Sequence, residues 1–125
     1  MVTLLLAAAV GCGSATAPSV QAVAGTYAAT QLNTTANGTT TDQLAAGASI
    51  TLTLNPNGTT SGEFIVPGEL DEDLTGTWTL NGTTVELSHS ADTFLRDMPF
   101  QVQGNALVGD QTFGGTRVRV RLVRQ

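Results

Sequence analysis

Apolar and polar residues alternate with a period of two along most of this chain. The alternation is cleanest near the end, where Val118, Val120 and Leu122 are separated by Arg119 and Arg121 and preceded by Arg117. A second clear case is the stretch 75–87. Trp78 and Leu80 alternate with Thr77 and Thr79, Asn81-Gly82 follows, and Val85 and Leu87 then alternate with Thr84 and Glu86. Asn-Gly supplies the two positive-φ positions of a type I′ turn, so the stretch predicts one complete β-hairpin. The same device recurs. Ile50, Leu52 and Leu54 are followed by Asn55-Pro56-Asn57-Gly58 and a returning strand over 59–66 that carries Phe64. Further strands are predicted over 23–32, 100–103 and 106–108, which makes about eight in all. Residues 33–41 read as a Thr/Asn/Gly loop, 42–47 as a single helical turn or more loop, 69–73 as a short acidic connection, and 94–98 as an irregular approach to the next strand.

Strands joined by short turns have their sequence neighbours as antiparallel partners by default. Each strand has one apolar face, which must be buried in a sheet closed on itself or between two stacked sheets. The expected class is therefore all-β. The expected fold is an antiparallel up-and-down barrel of about eight strands, with a β-sandwich as the alternative.

The first dozen residues differ from the rest. Val2 to Val10 is an apolar run of signal-peptide length, shorter than the ~20 residues of a spanning helix, and it leads into Gly11-Cys12-Gly13-Ser14. Ala9-Val10-Gly11-Cys12 resembles a bacterial lipobox, with a small residue directly before the only cysteine in the chain. That resemblance implies cleavage before Cys12 and acylation of Cys12. It divides the chain into a lipoprotein signal peptide at 1–11, the lipidated cysteine and a tether at 12–22, and a single β domain at 23–125. It also implies a cell-envelope protein held on a membrane by its lipid, facing the periplasm or the cell surface, and Gly13 fits delivery to an outer membrane.

A second resemblance covers the β domain. Gly25-Thr26-Tyr27 on the first strand, Thr75-Gly76-Thr77-Trp78 before the central Asn-Gly turn, and Arg121-Leu122-Val123-Arg124 at the end look like the small lipocalin-like lipoproteins of the calycin group. The resemblance implies that Tyr27, in a Gly-x-aromatic motif, packs beneath a cation of the last strand, either Arg121 or Arg124. The interior of a small eight-stranded barrel is either filled by side chains or just large enough for one small ligand; a hydrophobic or amphiphilic ligand is expected there, with Trp78, Phe64, Tyr27 and Phe100 as the candidate binding residues. The bottom-up alternatives are a barrel filled by its own side chains and a rigid interaction module or inhibitor that engages another envelope protein through its surface or loops.

Composition narrows the partners. Ten acidic residues against five basic ones, all Arg, give a net charge of −5, which argues against nucleic acid because phosphate neutralisation by a basic face dominates that affinity. No nucleophile with a partnered base can be assembled around His89, the single histidine, so no catalytic residue and no cofactor is assigned. His89 itself reads as a solvated turn residue. Glu69, Asp71, Glu72 and Asp73 lack the alternation and central Gly of a calcium loop, so no metal site is assigned. The Arg117, Arg119, Arg121 row reads as the solvated outer face of a strand that also discourages edge pairing. The chain is expected to act as a monomer.

Overall fold

The structure, a computed structural model, describes residues 18–89 and 93–125. The expected signal peptide and Cys12 lie outside these residues. A one-turn helix, α1 (Val20–Val23), is capped by the Ser19 hydroxyl, which accepts the Ala22 N–H at 3.1 Å. Ten strands follow: β1 (Gly25–Ala36), β2 (Thr39–Asp42), β3 (Ser49–Leu54), β4 (Thr59–Val66), β5 (Leu70–Asp73), β6 (Gly76–Asn81), β7 (Thr84–His89), β8 (Phe100–Gln103), β9 (Ala106–Phe113) and β10 (Thr116–Arg124). A second short helix, α2 (Phe94–Asp97), lies between β7 and β8.

Eight of these strands form a closed barrel, every pair antiparallel. The order runs β1, β3, β4, β6, β7, β8, β9, β10, and β10 pairs back onto β1 from Arg117 opposite Thr35 to Arg124 opposite Tyr27. This last pairing decides between barrel and sandwich. The other two strands are flaps: β2 hairpins onto the far end of β1, and β5 onto the far end of β4.

Strand directions give the barrel two distinct ends. At the lower rim lie α1, the start of β1, the turns after β3, β6 and β8, and the end of β10. At the upper rim lie both flaps, α2 and the turn after β9.

Two expected loops are strands. Residues 33–36 extend β1, and Asn37-Gly38, with φ of 53° and 77°, turns the chain into β2. Periodicity did not reveal this because every position of β2 is polar and exposed. The polar pairs sustain the hairpin themselves, as when Thr35 and Thr40 hydroxyls bond across it at 2.8 Å. Residues 43–47 form turns, in which Asp42 Oδ1 accepts the N–H groups of Leu44 and Ala45 at 3.1 and 3.2 Å. The acidic connection contains β5, which pairs with the upper half of β4.

The core follows the alternation. Tyr27, Ile50, Leu52, Leu54, Phe64, Trp78, Val85, Leu87, Phe100, Val118, Val120 and Leu122 are all buried, while Leu80 and Val102 are half-buried against it. Sequence reasoning missed part of the filling. Beyond Val85, β7 has no pairing with β8, and the segment around α2 crosses that part of the wall. Leu95 and Met98 from this segment are buried in the core. Met98 fits because β9 has Gly109 there: a Cβ at that position would lie 2.3 Å from the Met98 sulfur.

Candidate functional site: the lower rim and its cleft

The lower rim is held by side chains that bond to backbone across elements. Tyr27 is fully buried, and its hydroxyl donates to the Val23 carbonyl at 2.5 Å, fixing α1 across the barrel mouth. Arg124, from the last strand, lies over the Tyr27 ring with its guanidinium carbon 5.8 Å from the centroid. Its Nη2 donates to the Ala22 carbonyl and, at 3.5 Å, to the Tyr27 hydroxyl. Gly25 makes room for this arrangement: a Cβ there would meet the Arg124 Cδ at 3.3 Å, and its φ of +148° suits glycine. Of the two cations that the sequence offered for this position, the one over Tyr27 is therefore Arg124. Arg121 sits on the opposite side of the strand, opposite Gln31 and Val108.

Beside this closure is a cleft of about 330 Å³, lined by Val20, Pro56, Asn57, Gly58, Trp78, Thr79 and Leu80. Trp78 is 5% exposed, and its indole N–H donates to the Asn55 carbonyl at 2.8 Å. That bond satisfies the polar end of the ring and ties β6 to the turn after β3, so Trp78 presents a fixed apolar wall. Val20 is the exposed large apolar residue of the rim.

A second cleft, also of about 330 Å³, runs over the outer surface of the β6–β7 hairpin. Its lining is more polar: Thr77, Thr79, Glu86 and Ser88 on the strands, Arg96 to Pro99 on the segment leading into β8, and the Trp78 and Leu87 positions between them.

The four sequence-predicted ligand residues do not share one cavity. Trp78 lines both clefts; Tyr27, Phe64 and Phe100 line neither. Phe64 lies in the upper half, edge-on to Phe94 with ring centroids 5.2 Å apart. Phe100 is fully buried, with its ring beside Gly109. Leu80, Val20 and Pro56 were not singled out as site residues. Leu80 was legible as an alternate position of the hairpin, but nothing in the pattern placed Val20 and Pro56 beside it.

His89 differs from its expectation. It is the last residue of β7, 7% exposed, and its Nε2 shares a 2.9 Å hydrogen bond with the buried Thr93 hydroxyl. Burial lowers its pKa, Arg96 lowers it further, and Asp97 opposes the shift.

The acids are arranged by strand parity. On the outer face of the β4–β5 flap, Glu63 lies opposite Asp73 and beside Asp71, while Glu72 pairs with the Phe64 position on the other face. A hydrogen bond with Asp71 and repulsion from Asp71 and Asp73 raise the Glu63 pKa. The Asp73 carboxylate accepts the Thr75 hydroxyl and its N–H, which lower its own pKa. Among the described residues no three potential metal ligands are gathered. The Arg row is partly neutralised on its own face. Arg117 grips Asp110 with two hydrogen bonds, at 2.9 and 2.6 Å, and Arg119 lies 3.8 Å from the same carboxylate.

Among the described residues no helix is long and apolar enough to cross a membrane. No protein-family model, curated protein or solved structure matches the chain.

Proposed function

We propose that this protein is a lipid-anchored lipoprotein of the bacterial cell envelope, acylated on Cys12. We assign its barrel to the lipocalin-like, calycin-type group and infer that it takes up a small hydrophobic or amphiphilic molecule. The observation that carries the binding reading is the lower-rim cleft, where Trp78, Leu80, Val20 and Pro56 give an apolar wall and Asn57 and Thr79 add polar groups at the edge. Such a mixture suits a ligand with an apolar body and a polar end. The Gly25, Tyr27 and Arg124 arrangement supports the kinship, since the first and last strands meet through it as the resemblance implied.

The barrel interior is occupied by the protein's own side chains, Phe64, Phe100 and Tyr27 among them, so the ligand site moves from the barrel centre to the rim. The same observation favours a second reading, in which a solid barrel serves as a rigid interaction module or inhibitor and its upper flaps meet another envelope protein.

Two measurements test these readings. Growth with a clickable palmitate analogue should label the processed protein, and a processed but unlabelled chain would remove the anchor. Native mass spectra of gently purified protein should show an added mass that disappears on denaturation. A bare mass, with no displacement of a fluorescent fatty-acid probe, would favour the interaction module.

A further inference from the structure

The two rims differ in charge as well as shape. The acids of the β4–β5 flap, Asp42 at the end of β2 and Asp97 at the end of α2 all lie at the upper rim. At the lower rim the turns Asn55–Gly58, Gly82-Thr83 and Gly104-Asn105 carry no charge, and the nearest acid along any strand is Glu86, two residues into β7. Arg124 ends β10 at this rim, bonded to Ala22 and Tyr27, and Arg121 lies on the outer face three residues farther in, at about the depth of Glu86. The apolar cleft opens there, with Val20 exposed.

The chain also enters at this rim. Six peptide steps separate Cys12 from Pro18, and at ~3.5 Å per residue they reach at most about 20 Å. A lipid on Cys12 would thus hold the lower rim close to the bilayer, with the acidic upper rim farther away.

We propose that the lower rim is a membrane-docking face, on which Val20, Pro56 and Leu80 enter the headgroup region of an anionic bilayer while Arg121 meets its phosphates. This rests on the lipid-anchored reading, and it deepens the reading of the cleft: the amphiphile would enter from the bilayer itself, through a mouth pressed against it. The physical basis is the combination of buried apolar area with attraction to anionic lipid, which alone is weak and reversible but which a covalent lipid makes intramolecular. The opposite end suits this surface less, because its carboxylates, only partly offset by Arg96, Arg117 and Arg119, would face the same negative charge.

Trp78 is the only tryptophan, and it lies in the cleft, so its emission reports the docking directly. The chain from Cys12 to Gln125, coupled through Cys12 to a maleimide phospholipid, would be placed in vesicles of phosphatidylcholine and phosphatidylglycerol. The expected result is a marked loss of Trp78 emission when the acyl chains carry bromine. Val20→Asp and Leu80→Asp, at positions outside the fully buried core, should each reduce that loss, and Arg121→Glu should reduce it in the anionic vesicles more than in neutral ones. Equal emission in brominated and ordinary lipids would overturn the proposal. Lower-rim cross-links to an envelope protein, with Trp78 unquenched, would overturn it too and give the face to a protein partner. Because the lipid is attached chemically, the outcome does not depend on whether cells acylate Cys12. Quenching without a palmitate label in cells would support the docking face and remove only the native anchor.

Discussion

The two ends of this barrel are closed in different ways. At the lower rim, side chains of the barrel strands bond to backbone carbonyls of other elements: Tyr27 to Val23, Trp78 to Asn55, Arg124 to Ala22. At the upper rim the wall between β7 and β9 is incomplete, and an inserted segment fills it with Leu95 and Met98, secured by the His89–Thr93 hydrogen bond. Closure from within ties the lower rim to the stability of the whole barrel. Closure by insertion should let the upper rim open while the strands stay paired.

Replacing Trp78 sharpens this contrast most. Trp78→Ala removes a large core side chain together with the bond to Asn55, and is expected to cost ~3–5 kcal/mol in urea unfolding. The loss should be global, with hydrogen exchange accelerated on β3, β6 and β7 alike. Exchange accelerated only at the turn after β3 would show that the lower rim can open by itself.

Met98→Ala should have a smaller effect, about 2 kcal/mol, at the low end of the range for such truncations because the inserted segment can settle over Gly109. Here the exchange change should concentrate in residues 93–99 and along the upper part of β7, which pairs with β6 but has no β8 partner. A uniform change across the barrel would break the distinction between the two rims.

How far the sequence revealed each rim follows from the same difference. The strands of the closed wall advertise themselves by alternation, and Val118, Val120 and Leu122 or Trp78 and Leu80 could be placed by parity alone. The Gly25–Tyr27 motif and its cation were legible as a resemblance, though choosing Arg124 over Arg121 required the register. The upper rim was less legible. All-polar β2 has no apolar face to show, and β5 is written in acids whose pairing comes from the turn at 67–69. Leu95 and Met98 belong to no period, because the segment fills a gap whose shape is set by β7, β8 and β9 together. The signal for His89 was present and misread: extending Val85, Leu87 by one more step places position 89 inward.

His89 supplies the smallest expected effect, which tests the upper closure alone. Its folded pKa lies below the ordinary value of 6.5, chiefly because burial disfavours the imidazolium and secondarily because Arg96 is near. The unfolded chain therefore takes up the proton more readily, so stability rises with pH wherever the two forms differ in protonation. The contribution is fully present above the unfolded value and is lost as pH falls through it toward the depressed folded value. Charging the ring would also turn Nε2 into an obligate donor, so the Thr93 hydroxyl could no longer donate to it. Relative to the intrinsic exchange rate at each pH, residues 93–99 should thus lose protection on acidification through this window, while α1 and the start of β1 keep theirs. His89→Asn should flatten this pH dependence. A wild-type response of equal size at both rims would mean that the His89 bond braces the whole barrel and that the upper closure is no more separable than the lower one.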